Sequence, residues 1–386
     1  MLPTRERERG IALLVVLFVL LLSTILALEI KSSAALHMRL AKTKRDDFLM
    51  RQAMRGHLEV LKQVLLADRE KNENETLDDL WMDTKYTSLQ EFPEEMEETE
   101  EAEEPEPTSS EESEVTARVD DEARKFNLHN LVAESDALRA HWEEVFLRLV
   151  VLYREEYDQE YRVSRSDAEA LLRNLKEWLK RPDSDQEVPR PATTDEKKIL
   201  ITPDELLMIE GFTRELLYDI PLPEDDRTEE TGNEVPGLLR FLTLWSAGPV
   251  NLNTAEPVMV YAMFTDGDRD LAERFLEWRN QDSDETAGEG QTADDEPLRN
   301  SLKLLQDLLK VDGIDSAALL KNTLNDQTVT TKSDVFSIHL FAESPDGVAR
   351  QERWVVSRNA VGFTTLLYEE RNDPKAKEEE EIPGIR

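Results

Sequence analysis

The sequence predicts an α+β protein. It should have a long N-terminal helix whose first part is transmembrane, an antiparallel sheet near the C-terminus, and a large all-helical stretch inserted between them. Three observations carry this. Ile11 to Leu28 is a run of 18 residues without charge, about 27 Å as a helix and close to the hydrocarbon thickness of a bilayer. Met50, Met54, Leu58, Leu61 and Leu65 then recur at helical spacing, so an amphipathic face continues the same rod. Towards the other end, Phe336, Ile338 and Leu340 alternate with polar neighbours, the period of a half-buried strand.

Composition excludes several classes of function. A chain of 386 residues allows one to three domains. It has no cysteine, which removes disulfides, thiolate metal sites and a cysteine nucleophile. The net charge of −37 argues against nucleic acid, since phosphate binding relies on clustered Lys and Arg. Glu91 to Glu114 holds 13 glutamates with no Lys or Arg. With Pro93, Pro105 and Pro107, this reads as a disordered, self-repelling insertion over 91–118. The acidic tail, 372–386, reads the same way. The five histidines, His37, His57, His129, His141 and His339, are scattered, and there is no phosphate loop or nucleophile elbow. An enzyme is not expected.

At the N-terminus, the charged stretch 1–10, with Arg5, Arg7 and Arg9, ends at Gly10, directly before the first apolar residue. The small-residue site expected after a secretory signal is poor here. The arrangement resembles a type IV prepilin leader, cut on the cytoplasmic side between Gly10 and Ile11 so that the anchor is kept. An uncleaved signal anchor held N-in by the arginines is the alternative. In that resemblance the fifth mature position is normally glutamate, and here it is Val15. A carboxylate in the apolar core costs about 2.5–3.5 kcal/mol unless paired. In pilins it pairs with the N-terminal amine of a neighbouring subunit, so a subunit with Val15 suits the end of a filament.

The rod is expected to run over 11–67, with 11–28 in the membrane, and 68–132 to begin a head. Residues 120–132, Asp-Asp-Glu-Ala-Arg-Lys-Phe-Asn-Leu-His-Asn-Leu-Val, resemble a signature of the minor pseudopilin K family of type II secretion systems, with His129 where Asn is usual. From 133 to 325 the pattern is helical. Leu138, Trp142, Val145, Phe146, Leu149 and Leu152 share a face, and Ser166 to Glu169 reads as a capping box for a helix ending before Pro182. Thr202-Pro203-Asp204-Glu205 starts a helix that Gly211 would close. Gly248-Pro-Val-Asn251-Leu-Asn253-Thr254-Ala255 resembles a further segment of the same family. There Asn251 and Asn253 would bond their own turn and Thr254 would cap the next helix.

That last motif also opens DNA-binding helix-hairpin-helix units, but Asp266, Asp268 and Asp270 would repel a phosphate. With Glu277 these aspartates match positions 1, 3, 5 and 12 of a calcium loop. Leu271 stands where that loop needs glycine, so an acidic helix cap is the better reading. Over 326–371, Ser344-Pro-Asp-Gly347 reads as a turn, and Trp354 to Arg358 and Phe363 to Tyr368 as two more strands.

The resemblance to the pseudopilin K family spans roughly residues 9–371 apart from the acidic insertion. It implies a pilin-like head with a helical domain inserted before its last strands, containing two helix-hairpin (SAM-like) units near 166–221 and 248–310. It also implies a single-pass inner-membrane protein with its N-terminus cytoplasmic and its head in the periplasm. Prepilin peptidase would process it and Ile11 would be methylated. The partners implied are minor pseudopilins I and J and major pseudopilin G. Together with I and J the chain would cap the pseudopilus and start its assembly. Some family members hold calcium in the helical insertion, which makes Ca2+ a candidate cofactor. The acidic loops 224–230 and 282–296 are alternative sources of ligands. A type IV pilus minor pilin and an unprocessed membrane-anchored binding protein are the competing readings.

Overall fold

The computed structural model describes residues 5–82, 114–180, 200, 202–222, 234–281, 299–343, 349–359 and 362–371. Its first element is a single helix, α1, Arg5–Lys71, about 100 Å long at helical rise. Among the described residues it is the one helix long and apolar enough to cross a membrane. From Leu14 to Leu28 every large apolar side chain is more than half exposed. The helix starts earlier than the rod expected from residue 11, because no proline or glycine cluster interrupts the backbone after Pro3.

Further along α1 the environment inverts. Met50, Met54, Leu58, Leu61 and Leu65 are all buried, the face that the helical spacing predicts. They pack beneath a four-stranded antiparallel sheet of β1 (Glu114–Asp121), β8 (Val335–Glu343), β9 (Ala349–Asn359) and β10 (Gly362–Arg371), in the order β1-β8-β9-β10. Val115, Ala117 and Val119 of β1 join Phe336, Ile338, Leu340 and Ala342 of β8, Val356 of β9 and Trp81 in this core. Arg350 of β9 adds a polar clamp, reaching Asp47 of α1 (2.9 Å), Glu352 (3.1 Å) and Glu370 of β10 (2.7 Å).

Strand β1 corrects one expectation. The disordered insertion drawn as 91–118 overlaps it at residues 114–118, where Val115 pairs with Ala342 and Ala117 with Leu340. The alternation Val115, Ala117, Val119 is masked in composition by the glutamates before it. The sheet therefore has four strands where three were expected. Residues 91–113, the turn at 344–347 and the tail 372–386 lie outside the described residues.

Between β1 and β8 the chain builds a second, separate core. It contains β2 (Phe126–Asn127), α2 (Asp136–Leu152), α3 (Arg165–Lys180), α4 (Arg214–Leu217), β3 (Ile220–Pro221), β4 (Glu234–Val235), β5 (Leu242–Thr243), β6 (Val250–Asn251), α5 (Pro257–Met263), α6 (Arg269–Arg279), α7 (Ser316–Lys321) and β7 (Val329–Thr330). Its buried cluster begins at Phe126 and ends at Val329. Phe126 packs edge-on to Trp142 at 5.7 Å and against Phe146 at 5.7 Å. Phe126, Leu128 and Leu131, read from sequence as part of the head, therefore pack with the inserted domain.

Two local readings shift. Ser164, not Ser166, caps α3, accepting the amide of its third residue, Asp167, at 3.2 Å. After Thr202 the chain forms a short 3-10 helix, Pro203–Met208, instead of an α-helix ending at Gly211. Glu205 reaches back to the Thr202 amide at 3.2 Å as a capping residue should. However, Ile209 then turns extended and inserts with Phe212 into the helical core. Gly211 keeps its left-handed conformation at φ 94°.

The packing of α1 under the sheet sets an expectation for mutation. Leu61→Ala, at a fully buried position, is expected to destabilise the head by about 2–5 kcal/mol. Met38→Ala, on the exposed stretch of the same helix, should stay within about 0.5 kcal/mol. Denaturant unfolding of the full chain in detergent, followed by tryptophan fluorescence, measures both.

Candidate functional site

The rod and the joint between the two cores are where the predicted site residues fall. Gly10 and Ile11 lie within α1. Val15 lies on the exposed apolar stretch, 56% accessible. All three lie near the N-terminal end of α1.

The joint is built from the end of β1 and the turn after it. Alternation along β1 leaves Asp120 and Asp121 at its end, and a 3-10 turn, Glu122–Arg124, follows. Asp121 is fully buried. Its Oδ1 accepts the Ala123 amide at 2.7 Å. Its Oδ2 accepts from Thr254 Oγ1 at 2.5 Å, Ser333 Oγ at 2.7 Å and Asn251 Nδ2 at 3.2 Å. One carboxylate thus joins β1, the 251–254 turn of the inserted domain and the return to β8. Burial pushes Asp121 above the ordinary carboxyl range, opposed by the Thr254, Ser333 and Ala123 donors.

Its neighbours repeat the device. Glu122 is buried and takes hydrogen bonds from Lys125 Nζ (2.7 Å), Thr243 Oγ1 and Ser337 Oγ. Burial would raise it, but Lys125 and Arg353 bring it below the usual range. Asp120, which burial would also raise, is held well below that range by Arg124 and Arg118. Arg124 reaches across to Glu256 of the inserted domain at 2.8 Å. Asn127 donates to the Ser246 carbonyl at 2.6 Å and Asn130 to the Gly248 carbonyl at 2.8 Å. Gly248 has φ 115°, and a Cβ there would lie 2.8 Å from Asn130 Oδ1, so both backbone conformation and space call for glycine.

In the 251–255 turn the sequence predicts that Asn251 and Asn253 bond their own turn and that Thr254 caps the next helix; the first of these is met by Asn251. Asn251 Oδ1 accepts the Asn253 amide at 3.1 Å. Thr254, expected as a helix cap, turns its hydroxyl to Asp121 instead, and Glu256 takes the cap position of α5. Asn253 forms a paired bond with the Leu302 backbone, at 2.9 and 2.7 Å. Arg279 closes the turn from behind by donating to the carbonyls of Leu252 (2.9 Å) and Ala255 (2.7 Å). Sequence reasoning passed over Asp121 and Arg279. A run of three acids followed by Arg124 and Lys125, in a chain otherwise so acidic, was the available sign.

Of the calcium-loop set, Asp268 stands at the cap position of α6. Asp268 is already engaged by Lys321 Nζ (2.6 Å), Asn322 Nδ2 (2.9 Å) and Thr265 Oγ1 (2.9 Å), and Leu271 sits inside α6. The loops 224–230 and 282–296 lie outside the described residues. His129 lies within hydrogen-bond distance of the Leu200 carbonyl at 3.3 Å, a structural contact.

No family model matches the chain, and no curated protein matches it. Among solved structures, the fold is similar to a chain of the crystal structure of the GspK–GspI–GspJ complex from the type 2 secretion system of enterotoxigenic Escherichia coli. The TM-score is 0.54 at 14% sequence identity, covering 86% of this chain and 99% of that one. At that identity the likeness establishes a shared fold over the part of the chain that it covers.

Removing the Asp121 carboxylate tests the joint. Asp121→Ala takes the acceptor from three buried donors, the Ala123 amide and the Thr254 and Ser333 hydroxyls, each costing about 1–3 kcal/mol when unsatisfied, while Asn251 keeps the Glu75 carbonyl. The expected result is loss of at least about 3 kcal/mol. Limited proteolysis should then cut first near 122–130 and 330–334 rather than within either core. Gly248→Ala should open the same joint by about 1–3 kcal/mol.

Proposed function

We propose that this chain is a minor pseudopilin of a type II secretion system. It would cap the pseudopilus tip together with minor pseudopilins I and J, above the major pseudopilin G, and start the filament's assembly. The observation that carries the reading is topological. A helical domain with its own core interrupts a pilin-like sheet between the adjacent strands β1 and β8, and that sheet rides on an exposed apolar rod. The likeness to a chain of the GspK–GspI–GspJ complex supports the same reading.

The mechanism is packing and steric. The rod anchors the subunit in the inner membrane with its head in the periplasm, and packs among other such rods once the filament grows. The inserted domain makes the head broad, so neighbours can stack beneath it but not beyond it. Prepilin peptidase would cut between Gly10 and Ile11, and Ile11 would carry the new methylated amine. Val15 leaves that amine free to neutralise a neighbour's buried glutamate while adding no carboxylate of its own. Burying an unpaired one costs about 2.5–3.5 kcal/mol.

Intact mass and N-terminal peptide analysis of the membrane-extracted protein test the processing step, and mature protein should begin at Ile11. Protein that still begins at Met1 favours an unprocessed membrane-anchored binding protein. Val15→Glu is expected to let the subunit enter below the tip and to lower secretion. Unchanged secretion with the variant still confined to the tip would mean that bulk alone sets its position. A deletion that abolishes twitching and leaves secretion intact would assign the chain to a type IV pilus.

A further inference from the structure

Where α1 ends, a second buried polar cluster sits apart from the joint. Asp68 of the last α1 turns and Glu75 and Asp79 of the loop after it each bring a carboxylate oxygen within 4.8 Å of the other two. All three are buried. Strand β9 supplies a cation: Arg358 donates to Glu75 Oε1, and to the backbone carbonyls of Leu65 (2.7 Å) and Ser333 (2.8 Å). The loop is tied to the rest of the head by the Glu75 amide on the Thr331 carbonyl at 2.9 Å. Asn251 of the inserted domain touches the Glu75 carbonyl at 3.3 Å. Three carboxyls against one guanidinium leave an excess of negative charge in a dry place, which is costly unless something neutralises it.

The donors show where the charge is and is not satisfied. Asp79 is saturated by the Thr76 amide (2.7 Å), Thr76 Oγ1 (2.8 Å) and Asn72 Nδ2 (3.3 Å). Trp81 Nε1 donates to both Glu75 Oε2 (3.0 Å) and Asp79 Oδ2 (3.3 Å). Asp68 Oδ1 accepts the Leu80 amide at 3.1 Å, but its Oδ2 is buried with no donor. Asp68 and Glu75 bring carboxylate oxygens within 4.8 Å of each other, and Asp68 Oδ2 meets no other donor there. An ionised carboxylate only accepts, so a bond between two carboxyls needs a proton on one of them. A divalent ion would have to displace the indole N–H and the guanidinium that already point into the cluster.

We propose that Asp68 and Glu75 share one proton at neutral pH, and that the head's hold on the end of α1 loosens as that proton is lost. The groups facing the pair are Asp79 from the loop and Arg358 from β9. The nearby pairs Arg69–Asp334 and Glu73–Lys332 lie out on the exposed side. Burial, with Asp79 adding to it, pushes Asp68 up to about 6. Burial, opposed by Arg358, pushes Glu75 up to about 8. The unfolded chain gives up both protons near pH 4. Between there and pH 8 the folded state binds the extra proton, so stability is greatest at the acid end of that range and falls as pH rises. For one proton the limit is about tenfold in the opening equilibrium per pH unit.

Hydrogen exchange of the full chain in detergent micelles reads this locally through the Glu75 and Leu80 amides. Protection factors at both should fall between pH 6 and pH 8 in the wild type. In Asp68→Asn, whose amide replaces the shared proton with a permanent donor, they should stay level. Equal slopes in the two proteins would overturn the proposal. So would recovery of protection at pH 8 on adding calcium chloride alone, which would put a metal where the proton is placed. A measurement free of mutation is the infrared difference spectrum across the same range. A protonated carboxyl band should disappear as pH rises, and its absence throughout contradicts the proton.

Discussion

The structure depends on a buried carboxylate that neither core could hold alone. Asp121 ends strand β1, yet three of its four hydrogen-bond donors come from residues 251, 254 and 333. A buried anion with its donors removed is among the costliest defects a fold can carry. The sheet and the inserted domain are therefore obliged to close on it together. Glu122, through Thr243, and Arg124, through Glu256, reinforce the closure. The inserted domain is thus fixed in orientation on the sheet, as a domain hung on two loose linkers would not be.

That fixity gives the apolar rod its meaning. On α1 the same helix is exposed and apolar at one end and buried against the sheet at the other. The first end carries no charge from Ile11 to Leu28, and the second is amphipathic. Arg350 and Arg358, both from β9, pin the buried half near Asp47 and Leu65, so the head grips the rod over several turns. In the proposed reading, a broad head gripped and oriented in this way blocks addition above it while the rod stays available below.

Much of this was legible in the sequence, and the exceptions share a cause. The apolar run, the buried face from Met50 to Leu65 and the alternation of β8 are periodic, and local periodicity survives any tertiary context. Strand β1 was hidden because its alternating Val115, Ala117 and Val119 follow a dense run of glutamates. The 3-10 helix after Thr202 replaced an α-helix because Ile209 and Phe212 had a core to enter, which no capping pattern reveals. Thr254 illustrates the joint. Its type and position suit a cap, but its partner, Asp121, lies far back along the chain. Contacts of that range leave no periodic trace, so the resemblance in 120–132 and 248–255 marked the joint without disclosing what it does.

The central claim is that a rigidly mounted inserted domain puts this subunit at the end of a filament beside two particular partners. Native mass spectrometry of the complex extracted from membranes that also hold minor pseudopilins I and J measures this most directly. The account predicts one copy of this chain bound to one copy of each partner. Recovery of the chain by itself, or of assemblies with several copies in succession, would contradict it.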